Sequence, residues 1–228
     1  MGALTIHLVR HAPVHPDHQG TVYGLHANII DITNTTDPDV SDLKREALAA
    51  RFAALARKLP EHAPVLVTEA RRTQQTARAV RVLQVNPNPV VGQARSLTEQ
   101  MWGDWNERPY VFLMQRDPNF VGLRNKKPGW ADITPPSDQT GWMAESFNFF
   151  TQRIGKGFNH IVGLPFLQGC SDLVVYAHGG TARAALVLFD GQTPDQAIAH
   201  KVPNLSVTTL RHDPAAARPW QVLGIGQM

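Results

Sequence analysis

Leu4-Thr5-Ile6-His7-Leu8-Val9-Arg10-His11-Ala12 is the stretch whose reading decides the fold. Leu4, Ile6, Leu8 and Val9 form a short apolar run, and Pro13 stops it soon after. Ile6 and Val9 are β-branched. The pattern predicts a mostly buried strand. Such a strand delivers Arg10 and His11 at its C-terminal edge, where open α/β sheets bind ligands. Arginine is always charged and forks onto phosphate, and histidine can act as a nucleophile or a proton carrier. The pair makes a candidate phosphoryl site.

Around it, His7, His11, His15 and His18 recur at spacings that would line one face of a helix. His7, however, sits inside the strand pattern, and Pro13 and Pro16 break any helix that begins at His11. Zinc ligation lacks a helix to carry it. The expectation is therefore no metal and no cofactor, with His15 and His18 as solvated loop residues.

The 228 residues suffice for one large domain, and 43% hydrophobic and 18% charged content are ordinary for a globular protein. No run reaches the length of a membrane span, and Met1 to Val9 lacks the features of a secretory leader. Cys170 is the lone cysteine, so no disulfide framework is expected and a cytoplasmic location is the default. A net charge of +3 and a pI near 9.2 suit an anionic small molecule. No basic block resembles a nucleic-acid stripe. Composition does not specify an oligomeric state.

Residues 12–40 read as a long loop, of the kind that is usually functional or mobile. Ser41 can cap a helix to about Leu59, with Leu43, Ala47, Leu48, Phe52, Leu55 and Leu59 on one face and Pro60 as the stop. Residues 64–67 form a second apolar strand. It runs into Arg71 and Arg72, and Thr76, Ala77, Val80 and Leu83 give the next helical face. Val90-Val91 start a third strand, with Arg95 to Leu97 its continuation or the following loop. Phe147, Phe150, Ile154, Phe158 and Ile161 predict a core-facing helix. Leu173 to Ala177 is the cleanest buried strand, followed by His178-Gly179-Gly180 and a helix from Ala182 to Phe189. Thr193-Pro194-Asp195-Gln196 is a capping box. Residues 206–210 and 221–225 read as closing strands.

Residues 98–145 hold Trp102, Trp105, Trp130 and Trp142, four of the five tryptophans, and many prolines. A helix from about Glu107 to Arg116 is expected there, in an otherwise irregular segment. Either the aromatics pack a loop down or the segment caps the site.

Two strands thus end in histidine. The glycines after His178 admit a ligand to the backbone, and the helix behind them turns its amide N–H groups toward an anion. With Arg10 and Arg72 added, the place is built for a phosphoryl group. No glycine-rich nucleotide cradle is present.

On these residues the chain resembles the histidine phosphatase superfamily, also called phosphoglycerate mutase-like. Leu8-Val9-Arg10-His11-Ala12 is similar to its Arg-His-Gly strand end. Thr68-Glu69-Ala70-Arg71-Arg72-Thr73-Gln74-Gln75-Thr76-Ala77 is similar to Ser-Pro-x-x-Arg-Ala-x-Gln-Thr-Ala, a register that selects Arg72 over Arg71. Leu97-Thr98-Glu99 with Gly103 and Trp105 matches a third block. Ala144-Glu145-Ser146 with Arg153 matches a fourth, and His178-Gly179-Gly180 a fifth, all in family order. The resemblance implies a single three-layer α/β/α domain over 1–228: a mainly parallel central sheet flanked by helices, with residues 98–145 as a small cap or insert. It implies catalytic His11, Glu99 and His178, and phosphate binding by Arg10, Arg72, His178 and Gly179. His11 would become phosphohistidine, and Glu99 would protonate the leaving alkoxide and then deprotonate water. The implied activity is hydrolysis of a small phosphorylated metabolite without a metal. Mutase activity is less favoured, because the mutases' Arg-Arg-Ser stretch has no match between Glu99 and Glu145.

The segment Gly20-Thr21-Val22-Tyr23-Gly24 is similar to α-ribazole phosphatases of cobalamin synthesis, which gives an alternative substrate. A non-catalytic phospho-ligand-binding protein is the rival of another class, although pure binding does not need Glu99. Several positions depart from the family pattern. Ala12 replaces glycine, Asp17 stands where asparagine is usual, Thr68-Glu69 replace Ser-Pro, and Asn106-Glu107 replace Glu-Gly. A negative Asp17 would repel phosphate unless the loop turns it away.

Overall fold

The computed structural model describes residues 2–34, 36–87, 89–141 and 143–228; Trp142 lies outside the described residues. In chain order the elements are β1 (Leu4–Arg10), α1 (Asp42–Lys58), β2 (Val65–Val67), α2 (Arg71–Arg81), β3 (Val90–Gln93), α3 (Tyr110–Arg116) and α4 (Pro118–Arg124). They continue with α5 (Phe147–Val162), β4 (Asp172–Ala177), α6 (Gly179–Phe189), α7 (Pro194–Ala199), β5 (Val207–His212) and β6 (Trp220–Gln227). The six strands form one sheet in the order β3-β2-β4-β1-β5-β6. Pairing is parallel from β3 through β1, and β5 and β6 close the sheet antiparallel.

The period-2 alternation of strand side chains builds the layers. Leu4, Ile6 and Leu8 of β1 and Leu173, Val175 and Ala177 of β4 face one core, shared with Phe150, Ile154 and Phe158 of α5 and Ala182 and Ala185 of α6. Val9, Val174 and Tyr176 face the other, shared with Phe52 and Leu55 of α1 and Ala77 and Val80 of α2. A three-layer α/β/α fold results, as the family resemblance implies. With both faces covered, β1 and β4 lie side by side, in register from Thr5↔Asp172 to Arg10↔Ala177. Their C-terminal ends therefore bring His11 and His178 together.

Several boundaries differ from the sequence reading. Leu43 is 77% exposed and Ala47 also faces solvent; the buried face of α1 instead takes in Arg45, which donates to the Asn34 carbonyl at 3.0 Å. Helix α2 begins at Arg71, ahead of Thr76, and Leu83 beyond its end is half-exposed. Helix α6 begins at Gly179 rather than Ala182, with His178 in extended backbone as its N-cap. Residues 95–97 are a 3-10 turn, not strand. His15 is not a solvated loop residue: its Nε2 lies 2.9 Å from Asp37 and its Nδ1 3.1 Å from Asp17.

Residues 98–145 hold more regular structure than the sequence suggests. Asp117 caps α4 by accepting from the amides of Asn119 and Phe120, with Pro118 opening the helix. Asp104, buried, accepts from the backbone amides of Gln139 and Thr140 at 3.1 and 2.8 Å. The expected start of a helix at Glu107 fails because Glu107 has φ +64°, a left-handed conformation that L residues with a Cβ adopt only at a cost. The family pattern has glycine at this position.

Two substitutions separate conformational strain from crowding. Glu107→Gly should stabilise the fold by about 0.5–1 kcal/mol, the relief of a left-handed residue less the entropy glycine adds to the unfolded chain. Gly103→Ala should destabilise by about 2–3 kcal/mol, since φ there is +50° and a Cβ would overlap the Pro136 carbonyl oxygen. Urea denaturation checks both, and a Glu107→Gly variant less stable than the parent would contradict the strain account.

Candidate active site

His11 follows the last residue of β1 and is 2% exposed. Its Nδ1 lies 2.7 Å from the carbonyl of Ala12. A carbonyl can only accept, so Nδ1 carries the proton, and in the neutral ring Nε2 keeps its lone pair. Burial, then the Arg72 charge, hold His11 well below its ordinary value of 6.5. The backbone around it is pinned as well. The Ala12 amide donates to Thr76 Oγ1 at 2.9 Å, and Asn204 Nδ2 donates to the His11 carbonyl at 2.8 Å.

Arg10 and Arg72 flank this ring from two elements. Arg10 donates to the Val202 carbonyl. Arg72 is 1% exposed and donates to the Gly24 carbonyl at 2.6 Å. Among the described residues no carboxylate forms a salt bridge with either guanidinium, and each leaves its Nε buried without a partner. Arg71, by contrast, faces solvent, so the structure places Arg72 inside, as the family register selects.

His178, fully buried, sits 5.5 Å from His11 between ring centroids. Arg72 Nη2 reaches its Nδ1 at 3.2 Å. A guanidinium only donates, so Nδ1 accepts and Nε2–H donates to Thr68 Oγ1 at 2.9 Å. Thr73 stands 2.9 Å behind Thr68. Burial and then Arg72 push His178 well below its ordinary value too. Gly179 packs against Arg10, where a Cβ would meet the guanidinium Nε at 3.4 Å.

Glu99 approaches from residues 98–145. Its Oε2 accepts from the Gly180 amide at 3.3 Å, at the N-terminus of α6. Glycine at 180 leaves room for this contact, since a Cβ there would overlap Glu99 Oε1 and displace the carboxylate. The loop behind Glu99 is clamped. Arg153 donates to the carbonyls of Ser96 and Thr98 at 2.8 and 3.1 Å and to that of Glu99 at 3.3 Å. Its partner is Glu145, buried, which also accepts from the Met101 amide at 3.0 Å. Glu145 is thus a structural carboxylate, and Glu107 faces solvent beside Met101. Asp17, the departure that threatened phosphate binding, is 71% exposed and turned to His15.

The histidine spacing does not make a metal face. His7 pairs with Asp172 at 2.8 Å, His11 with Ala12 and His15 with Asp37. Among the described residues, His15, Asp37 and Asp39 are the one group of three whose ligand atoms gather within 4.8 Å.

Sequence reasoning missed Tyr23, whose ring stands 6.5 Å from His11 and 5.2 Å from the Arg72 guanidinium carbon. Its signal was the Gly20–Gly24 segment. It also missed Asn204, Thr68 and Arg183. Thr68 occupies the family's serine position; Asn204 carries no local signal.

Two cavities open from the cluster, of about 240 Å³ and about 410 Å³. Tyr23, Glu99 and Gln100 line both.

A sequence profile of the histidine phosphatase superfamily (branch 1) matches residues 6–222. The chain belongs to the histidine phosphatase superfamily. No curated protein sequence matches it. Among solved structures, an Escherichia coli protein described as an α-ribazole-5'-P phosphatase aligns over 100% of this chain and 98% of its own, at 21% identity and a TM-score of 0.70. A Bacillus anthracis phosphoglycerate mutase aligns over 99% of this chain and 94% of its own, at 15% identity and TM-score 0.72. A mycobacterial glucosyl-3-phosphoglycerate phosphatase covers 99% of this chain and 100% of its own, at 18% identity and TM-score 0.68. At such identities the superpositions show a shared fold. The family membership accords with the expectation of a phosphatase.

The two depressed histidines set a sign for acid stability. Unfolded, each takes a proton near 6.5; folded, each stays neutral well below that. The unfolded state therefore binds more protons as pH falls below about 6.5, and stability falls with it. Unfolding free energy should drop between about pH 6.5 and 5, above the carboxylate range, and His178→Gln should make the slope shallower. A slope unchanged by His178→Gln would contradict neutral burial.

Proposed function

We infer that the chain hydrolyses phosphomonoesters through a phosphohistidine on His11. The observation that carries this reading is the tautomer of His11: Nδ1 is committed to Ala12, and Nε2 is left as a lone pair beside two carboxylate-free arginines, the half-buried Arg10 and the buried Arg72. A phosphoryl group supplies the anion those guanidiniums lack, and the lone pair can attack phosphorus in line. Arg10, Arg72 and the N-terminus of α6 at Gly179 hold the non-bridging oxygens as charge redistributes. His178 changes its hydrogen bonds when phosphate arrives, since both of its nitrogens are engaged by Arg72 and Thr68. Glu99, opposite His11 on Gly180, protonates the departing alkoxide and then takes a proton from the water that attacks phosphorus. These roles need no metal, and the cationic donor set suits an anion rather than a metal ion.

Hydrolysis is preferred to mutase chemistry because the mutases' Arg-Arg-Ser stretch has no counterpart in residues 99–145. The alternative substrate, α-ribazole phosphate, is favoured by the Gly20–Gly24 segment and by the aromatic lining of the smaller cavity. We read residues 98–145 as the cap that brings Glu99 over the site.

The test is a pair of variants on two substrates. His11→Asn should abolish hydrolysis of both p-nitrophenyl phosphate and an alkyl phosphate. General acid catalysis typically contributes about 10²–10⁴-fold. Glu99→Gln should lose most of that factor in single-turnover phosphorylation by the alkyl phosphate and clearly less with p-nitrophenyl phosphate, whose phenolate leaves unaided. Equal losses on both substrates would remove Glu99 from the role of acid, and an active His11→Asn would remove the nucleophile. A protein inactive on every phosphomonoester would be the non-catalytic binder.

A further inference from the structure

The two cavities that meet at Tyr23, Glu99 and Gln100 are opposite in charge. The smaller carries three cations beyond Glu99, namely Arg124, Lys126 and Arg183. The larger carries Glu69 and Glu107 beyond the shared Glu99, against the single guanidinium of Arg72, so its balance is acidic. Arg124 and Lys126 come from the end of α4 and the turn after it. Arg183 comes from α6, one turn beyond Gly180, on whose amide Glu99 rests. Arg183 is held in place by the His200 carbonyl, to which Nε and Nη2 donate at 3.3 and 3.2 Å. Among the described residues no hydrogen bond engages its Nη1.

The walls of the smaller cavity are aromatic. Trp102, Tyr110, Phe120, Trp130 and Phe147 line it, and they brace one another. Tyr110 stacks on Phe120 at 6.0 Å, and Trp130 tilts against Phe147 at 5.2 Å. Trp130 is further fixed by donating to Asp195 at 2.7 Å. Arg124 lies over the Tyr110 ring at 5.2 Å, so its charge stays at the aromatic wall. Rigid rings flanking a slot favour a flat apolar body. A volume of about 240 Å³ is below the ~300–1,000 Å³ of pockets that enclose drug-sized ligands, and suits a single ring with its substituent.

We propose that the leaving group of the substrate occupies the smaller cavity, and that it is a ring-bearing alcohol carrying a second anionic group, such as a carboxylate, which Arg124, Lys126 and Arg183 receive. This rests on the phosphatase reading and narrows its substrate class. The charge contrast directs the choice. An anionic substituent is attracted to the cationic, aromatic side and repelled from the side of Glu69 and Glu107. α-Ribazole phosphate would satisfy the ring but leave the three cations without a partner, so the proposal also separates the two substrate readings.

Binding of non-hydrolysable phosphonates tests this without turnover. Benzylphosphonate, 4-carboxybenzylphosphonate, 4-(aminomethyl)benzylphosphonate and methylphosphonate are titrated into the intact protein by calorimetry, with inorganic phosphate as the control. Benzylphosphonate should bind more tightly than methylphosphonate. The carboxyl compound should bind about tenfold more tightly than benzylphosphonate, the scale of one charge-assisted hydrogen bond, and the aminomethyl compound more weakly. In Arg124→Gln/Lys126→Gln the carboxyl-to-benzyl ratio should fall toward one. Because both residues are exposed, that variant is expected to fold, which circular dichroism verifies. Equal affinities for the carboxyl, unsubstituted and aminomethyl compounds, with phosphate still bound, would overturn the proposal and leave the phosphatase reading standing. Failure to bind phosphate at all would overturn both.

Discussion

Two guanidiniums, the half-buried Arg10 at the end of β1 and the buried Arg72 at the start of α2, have no carboxylate paired to either among the described residues. Buried charge without a counter-ion is costly, and the N-termini of α2 and α6 add partial positive charge at the same place. The surroundings respond in three ways. Backbone carbonyls of Val202 and Gly24 accept from the guanidiniums. His11 and His178 are kept neutral, so no further cation is added. Glu99 stands near enough to favour the charged form of Arg72, although burial works against it. What is left is a pocket of unbalanced positive potential, and a phosphoryl dianion is the guest we propose to balance it.

The same constraint explains why the carboxylate proposed as the acid arrives from a different part of the chain. A carboxylate built into the sheet edge would pair with Arg10 or Arg72 and fill the anion site. Glu99 instead hangs from a loop fixed by the buried Glu145–Arg153 pair and is received by the Gly180 amide. Its position depends on glycine at 180 and on four carbonyl and carboxylate acceptors gathered by one arginine. Arg153 therefore positions Glu99 through the backbone while standing apart from the reacting atoms.

Much of this was legible in the sequence where local pattern and burial coincide. Strands β1 and β4 are continuous apolar runs because both of their faces are covered, and each ends in the histidine that the site needs. Arg72 could be chosen over Arg71 from the register of its block, and the structure turns Arg72 inward and Arg71 out. Legibility failed where tertiary contact overrides pattern. Leu43 fits the helical spacing of α1, but the N-terminal turn of that helix runs past the core edge. Helix α4 was missed although Asp117-Pro118 is a cap signal, since the surrounding prolines and tryptophans read as irregular. His15 finds Asp37 across a long loop, and Asn204 reaches the His11 carbonyl from the approach to β5; neither partnership leaves a mark in local sequence. Glu107 fits a helical pattern in the sequence because spacing does not reveal a left-handed backbone.

The central claim is that phosphorus is attacked twice, first by His11 and then by water. Each in-line attack inverts the configuration at phosphorus. The most direct measurement is the stereochemical course of transfer from a phosphomonoester made chiral with oxygen isotopes, with an alcohol such as propane-1,2-diol as acceptor in place of water. Two displacements through phosphohistidine predict net retention of configuration. Net inversion would mean that the acceptor attacks the substrate directly, and would contradict the account of His11 as a nucleophile.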